Sequence, residues 1–196
     1  AQRDRTAPDV MRGEETILYG LARVGTGDAR VCLPGTHAKW ARLSRGHLAG
    51  FRTMMTGEMF ALLGEVSILR HTVGISEWSE DDFAAAVAEA HAAPADCLGG
   101  LFGLRAGPLL FGDAAPSGSA RLSGLLIGAE IATGMAAGDE PLCLVATGGM
   151  AERYAAALTA LGIDFDRADA EDAVRNGLFA MAARIWPELG MLETDA

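Results

Sequence analysis

Three short segments hold residue types that could do chemistry. The first is Asp9-Val10-Met11-Arg12-Gly13-Glu14-Glu15-Thr16, where four charged groups fall within seven residues at the expected start of a helix. A carboxylate among Asp9, Glu14 and Glu15 would serve as a general base. Arg12 would hold an anionic substrate group, because a planar guanidinium donates two parallel hydrogen bonds to a carboxylate or phosphate. The same residues also suit a plain solvated helix start, with Asp9 as the cap and both glutamates where the helix dipole favours negative charge.

The second segment is Leu33-Pro34-Gly35-Thr36-His37-Ala38-Lys39-Trp40. Pro-Gly-Thr within an apolar run breaks the strand ladder and bares backbone N–H groups. With the Thr36 hydroxyl these would cradle phosphate oxygens. Strict alternation would set Gly35, His37 and Lys39 on one face. The plainer reading is a β-bulge with a surface lysine. Walker spacing is absent, so the segment is not a P-loop.

The third segment is Ala146-Thr147-Gly148-Gly149-Met150-Ala151-Glu152-Arg153, a strand end running into Gly-Gly at a helix start. Glycines there admit a ligand to the backbone, and a helix N-terminus favours anions. An ordinary structural turn has the same sequence. The full dinucleotide fingerprint is missing, which argues against a Rossmann dehydrogenase. His47, His71 and His91 have no second ligand at metal-binding spacing, so no metal site is expected from side chains.

The elements that must position these segments follow from periodicity. A helix is expected over Asp9–Val24, then a strand over Val31–Leu43 interrupted early by Pro34-Gly35. Ser44-Arg45-Gly46 turns the chain into a second strand, His47–Met55. Thr56 is placed to cap a short helix over Met59–Leu63, and Ser79 to cap one running to about His91. Residues 95–118 are too rich in Gly and Pro to assign. A helix over Ala120–Ala137 places Gly124, Gly128 and Ala132 at intervals of four, which suits close backbone packing on one face. The end reads as strand Leu142–Ala146, helix Met150–Leu161 with Gly162 after it, strand Ile163–Arg167 and helix Ala170–Arg184, a βαβα unit with a parallel pair.

Composition narrows the class. The chain has 196 residues, 50% of them hydrophobic and 21% charged, which supports one domain, or one domain plus an extension, with a real core. A formal net charge of −10 without a basic run argues against nucleic-acid binding. No apolar run has membrane-spanning length, and the polar start, Ala1–Pro8, does not read as a signal peptide. Cys32, Cys97 and Cys143 are scattered and odd in number, as expected for reduced core residues of a cytoplasmic protein.

Taken together and in order, the strings at 10–16, 33–40, Phe51-Arg52-Thr53-Met54-Met55-Thr56-Gly57-Glu58 and Ser123-Gly124-Leu125-Leu126-Ile127-Gly128-Ala129-Glu130 resemble the 2-dehydro-3-deoxygalactonokinase family. The resemblance runs from Asp9 to about Ile185. It implies the C-terminal lobe of a sugar kinase, hexokinase and actin-like architecture: a ribonuclease-H-like mixed sheet flanked by helices, over residues 9–196. Residues 1–8 would be the remnant of a first lobe that is lost or separate. The implied reaction is ATP-dependent phosphorylation of 2-dehydro-3-deoxy-D-galactonate at its 6-hydroxyl, with Mg²⁺. By the same resemblance Gly35, Thr36, His37 and Lys39 stand at a second phosphate loop, and Thr147, Gly148 and Gly149 at an adenosine loop. Asp9 is the first choice as base, ahead of Glu14 and Glu15. The expected partners are a sugar acid, the missing lobe and, through a bared cleft surface, a second copy; the chain alone is expected to be inactive. Rival readings are a kinase for a related sugar or sugar acid, and a non-catalytic module of the same fold.

Overall fold

The computed structural model describes residues 1–74, 77–112, 116–136 and 138–187. The polypeptide opens with a small hairpin, β1 (Gln2–Arg3) and β2 (Pro8–Asp9), followed by helix α1 (Glu14–Arg23). Three antiparallel strands come next: β3 (Ala29–Leu33), β4 (Ala38–Ser44) and β5 (His47–Met54). Helices α2 (Thr56–Glu65), α3 (Arg70–Val73), α4 (Glu80–Ala92), α5 (Cys97–Gly100), α6 (Gly103–Phe111) and α7 (Gly118–Met135) fill the middle. The end is β6 (Leu142–Val145), α8 (Gly148–Ala160), β7 (Phe165–Ala168) and α9 (Ala170–Ile185).

The five long strands form one mixed sheet in the order β5-β4-β3-β6-β7. β3 pairs antiparallel with β4 and parallel with β6, and β6 pairs parallel with β7. Central β3 is buried along its whole length, which explains its unbroken apolar run around one charged residue, Arg30. Helices cover both faces. On one side Cys32, Trp40 and Leu144 pack with Phe83, Ile131 and Tyr154 from α4, α7 and α8. On the other, Val31, Leu33, Ala41 and Val145 pack with Leu18, Leu21 and Ala173 from α1 and α9.

Small residues set how closely the helices approach. A Cβ on Gly124 would stand 2.5 Å from the Phe83 carbonyl oxygen, and one on Gly128 would stand 2.3 Å from that of Val87. The four-residue spacing therefore marks the face of α7 that meets the α4 backbone. α1 and α9 meet in the same way, with Gly20 against Ala173 and Gly177 against Thr16.

Several expected boundaries move. α1 begins at Glu14, with Gly13 at φ 110° as its cap, so Asp9 is not a helix cap but part of β2. The expected strand over Val31–Leu43 is a hairpin: residues 34–37 form the turn between β3 and β4 rather than a bulge, and no single alternating face unites Gly35, His37 and Lys39. The Arg45-Gly46 turn is as expected, with positive φ at both residues. Thr56 lies inside α2 and caps nothing, whereas Ser79 caps α4 through the Asp82 N–H at 3.1 Å. Within 95–112 the chain is helical, as α5 and α6 show. Ala137, the expected end of α7, lies outside the described residues, as do 188–196. The three cysteines are buried and free, and no helix among the described residues is long and apolar enough to cross a membrane.

Gly128→Ala should lower stability by about 2 kcal/mol, the scale of overpacking against rigid neighbours, since its methyl group meets backbone and not a flexible side chain. Urea denaturation should show this as a reduced midpoint with unchanged slope. An unchanged midpoint would mean that α4 and α7 are free to separate.

Candidate active site

The sheet register gathers all three chemistry-bearing segments at one edge. Leu33, the last residue of β3, pairs with Lys39, and Lys39 pairs with Thr53 of β5. Thr53 in turn holds Asp9: its N–H and hydroxyl donate to the carboxylate at 2.6 and 2.7 Å. On the other side β6 runs parallel to β3, so Val145 follows on beside Leu33, and Val145 pairs with Ala168. The turn at 34–37 and the Thr147-Gly148-Gly149 loop thus leave the carboxyl ends of adjacent parallel strands, where open α/β sheets form ligand crevices.

The turn at 34–37 rests on the first turn of α2. Glu58 N–H donates to the Thr36 carbonyl at 3.0 Å, and His37 Nε2 meets Glu58 Oε2 at 2.5 Å. Gly57 makes this seat possible, because a Cβ there would stand 2.6 Å from the Gly35 oxygen. Gly35 itself has open space where a Cβ would be, and Thr36 and His37 are exposed. Lys39 is different. It is 4% exposed, and its Nζ donates to the His37 carbonyl at 2.8 Å and pairs with Glu14 at 3.2 Å. The lysine is therefore an internal brace of the turn, neither the surface lysine of the plainer sequence reading nor a group exposed on a face with Gly35 and His37.

The carboxylates of the first segment are held by nearby N–H groups. Asp9 also accepts from Val10 N–H at 2.7 Å, so three of its roughly four acceptor directions are filled. Glu14 accepts from Arg12 N–H at 2.9 Å and Glu15 from Gly13 N–H at 2.6 Å. Burial works to raise the Glu14 pKa, but hydrogen bonds from its own backbone, Lys39 and Arg12 outweigh it and hold the group below the usual glutamate value. Arg12 is exposed and forms no ion pair among the described residues.

Between the 34–37 turn, α2, α7 and α8 lies a cleft of about 380 Å³, lined by Thr36, Gly57, Ser123, Met150, Arg153 and others. Thr147, Gly148 and Gly149 are exposed beside it, with Gly148 at φ 61° and open space at both glycines. Thr147 caps α8 without a side-chain bond, which leaves the first N–H groups of that helix available. Thr147 and Gly148 line a second cavity, of about 290 Å³, with Arg167 and Asp169. Arg153 lies 4.5 Å over the Trp78 ring, a cation–π contact that orients it at the cleft wall.

Sequence reasoning missed Glu130. This residue is 4% exposed and accepts from Trp40 Nε1 at 2.8 Å, from the Tyr154 hydroxyl at 2.9 Å and from Thr56. It therefore joins β4, α8 and α2 behind the cleft, and two of its partners, Thr56 and Tyr154, line that cleft. Its signal was a lone acid within the apolar run Leu122–Met135, a position that demands hydrogen-bond partners. Burial pushes its pKa above the usual glutamate value, against the three hydrogen bonds. Burial also raises the Tyr154 hydroxyl and the Cys32 thiol, with the Glu130 charge adding to both.

A carboxyl raised on folding stabilises the fold below its unfolded pKa, and that contribution is lost as pH rises through the folded value. Glu130→Gln keeps the shape and removes the titration. Its unfolding free energy should decline less than the parent's as pH rises above about 4.5; matching pH profiles would show that Glu130 keeps an ordinary pKa.

The family model for 2-keto-3-deoxy-galactonokinase matches residues 1–181. A protein of Rhizobium meliloti (strain 1021) named "Probable 2-dehydro-3-deoxygalactonokinase DgoK1" is 46% identical over 95% of this chain and 63% of its own length. The 2-dehydro-3-deoxygalactonokinase of Escherichia coli (strain K12) is 36% identical over 89% of this chain and 60% of its own. The crystal structure of a Sinorhizobium meliloti protein assigned as a 2-dehydro-3-deoxygalactonokinase superposes with a TM-score of 0.89 at 45% identity, covering 95% of this chain and 64% of that one. The chain thus spans somewhat under two thirds of the length of these relatives. The mixed α/β sheet, the strand-end loops and these matches together show that the chain belongs to the 2-keto-3-deoxy-galactonokinase family.

Proposed function

We propose that this chain is the C-terminal lobe, residues 9–196, of an ATP-dependent kinase that phosphorylates 2-dehydro-3-deoxy-D-galactonate at its 6-hydroxyl. Residues 1–8 would be the tail of a first lobe that forms the opposite wall of the cleft. The observation that carries this reading is the placement of the Gly35-Thr36 turn and the Gly148-Gly149 helix start at the ends of neighbouring parallel strands, beside a cleft of about 380 Å³. The strand order, three antiparallel and two parallel, is the basis for assigning a ribonuclease-H-like sheet.

In this reading the exposed backbone at Gly35, Thr36, Gly148 and Gly149 faces the nucleotide phosphates, and the α8 N-terminus offsets part of their charge. The apolar side of the cleft, with Met150 and Leu126, takes the base. Asp9 orients and deprotonates the substrate hydroxyl through its one unfilled acceptor direction. Glu14, held ionised by Lys39 and backbone N–H groups, is the second candidate for the base. Lys39 acts indirectly, by bracing the turn. Arg12 is free to receive the sugar-acid carboxylate as a bidentate pair. Mg²⁺ would supply charge neutralisation on the phosphates. The described residues contain no group of three His, Cys, Asp or Glu able to hold a metal, so no ion site is assigned to this lobe.

In a full-length two-lobed enzyme, Asp9→Asn should lower kcat by at least about 10²-fold, the usual scale for loss of a general base, with little change in KM for ATP. If Glu14→Gln shows that loss and Asp9→Asn does not, the base is Glu14. Gly149→Val should raise KM for ATP far more than KM for the sugar acid; equal rises in both would make the loop structural. The 196-residue chain should show no turnover in a coupled kinase assay until a separately expressed first lobe is added. Robust turnover by the chain alone would refute the two-lobe reading.

A further inference from the structure

Away from the strand ends, the sheet face beside the C-terminal part of α7 carries an excess of positive charge. Arg30 of β3 stands directly opposite Arg42 of β4. Arg42 stands opposite Gly50 of β5, which places Arg52 diagonally from it on the same face. Like charges in neighbouring cross-strand positions are destabilising unless something lies between them. Arg30 is resolved within the fold: it is 3% exposed and donates to Glu140 and to the Met135 carbonyl, each at 2.7 Å. The other two are exposed and less fully paired. The nearest carboxylate oxygen to Arg42 is on the same Glu140, at 3.7 Å, and Arg52 has no ion pair among the described residues.

These side chains border a cavity of about 360 Å³. Gly50 leaves its floor open, with only Gln2 Oε1, 3.7 Å from a would-be Cβ, nearby. Trp40 forms a rigid wall, since its indole is fixed by Glu130 at 2.8 Å and lies against Gly134. In a chain of net charge −10, a pocket bordered by two exposed guanidiniums, Arg42 in a long pair with Glu140 and Arg52 with no ion pair among the described residues, is a local reversal of sign.

We propose that this pocket is an oxyanion site, separate from the strand-end edge, in which Arg42 and Arg52 grip a phosphate or carboxylate group against Trp40. Two planar forks converging from adjacent strands present paired N–H donors, the geometry that both groups accept. The apolar Trp40 wall admits the carbon skeleton of an organic acid. The site does not depend on the proposed kinase reaction, because none of its residues belongs to the strand-end loops.

The test is calorimetric titration of the 196-residue chain with inorganic phosphate and, separately, with malonate at fixed ionic strength, with tryptophan fluorescence recorded in parallel. At least one probe should bind saturably and perturb the fluorescence, and the tighter of the two identifies the source of the oxyanion. Arg52→Gln should weaken that binding by at least about tenfold, the loss of one charge-assisted pair. Arg52→Lys, which keeps charge but loses the fork, should weaken it by a smaller factor and serves as the deciding variant if Arg52→Gln does not fold. Gly149→Val, at the strand-end loop, should leave it unchanged. The proposal is overturned if neither probe saturates, if sodium chloride reproduces the response, if Arg52→Lys binds as the parent does, or if Gly149→Val abolishes binding while Arg52→Gln does not.

Discussion

The fold depends on a single parallel seam, the pairing of β3 with β6, and a buried arginine keys it. Arg30 pairs in register with Leu142, its N–H donates to the Pro141 carbonyl at 2.9 Å, and its guanidinium holds Glu140 and Met135 just upstream of β6. A buried cation is costly unless its donors are satisfied. Any slip of the seam would strip Arg30 of its partners and turn each side chain of β6 to the opposite face. The pairing also joins segments more than a hundred residues apart, and the antiparallel half meets the βαβα half here and where α1 packs on α9.

With the seam in register, the strand-end loops become neighbours. The rest of the structure holds them there with contacts too close for larger residues. Gly57 lets the 34–37 turn sit on α2, and Gly124 and Gly128 draw α4 onto α7. Behind them Glu130 ties three elements through one carboxylate. Hydrogen bonding in a water-poor setting makes such a network stiff when every member is satisfied. The result is a cleft whose walls are fixed from behind while its lining backbone stays open.

Charge is distributed with the same economy. The carboxylates of the 9–15 segment take N–H groups from their own turn and from Thr53, so they are positioned without any cationic side chain except Lys39. Lys39 is spent internally, on Glu14 and the His37 carbonyl. In the proposed kinase reading, anion binding at the strand-end edge would therefore rest on backbone N–H groups, a helix start and exposed Arg12. A backbone site of that kind would recognise phosphate by shape and dipole more than by net charge, so a chain of charge −10 is compatible with the proposed anionic ligand.

Much of this was readable in the amino-acid sequence. Local rules sufficed for the Arg45-Gly46 turn, the Ser79 cap, the Gly124–Gly128 face and the βαβα end, because each is decided by residues within one or two turns of chain. The motif strings also sufficed to mark the family. What local rules could not decide was the fate of groups whose partners are distant. Asp9 read as a helix cap because the charged run looked continuous, yet it is drawn to Thr53 by the register of β5. Lys39 read either as a phosphate-loop group or as a surface lysine, but the 34–37 turn folds it inward onto Glu14. Glu130 looked like one polar residue in an apolar helix, and only the meeting of Trp40, Tyr154 and Thr56 shows its place. Backbone geometry is a short-range property and is written locally; the partner of a buried charge is chosen by tertiary contact, and only the assembled sheet reveals it.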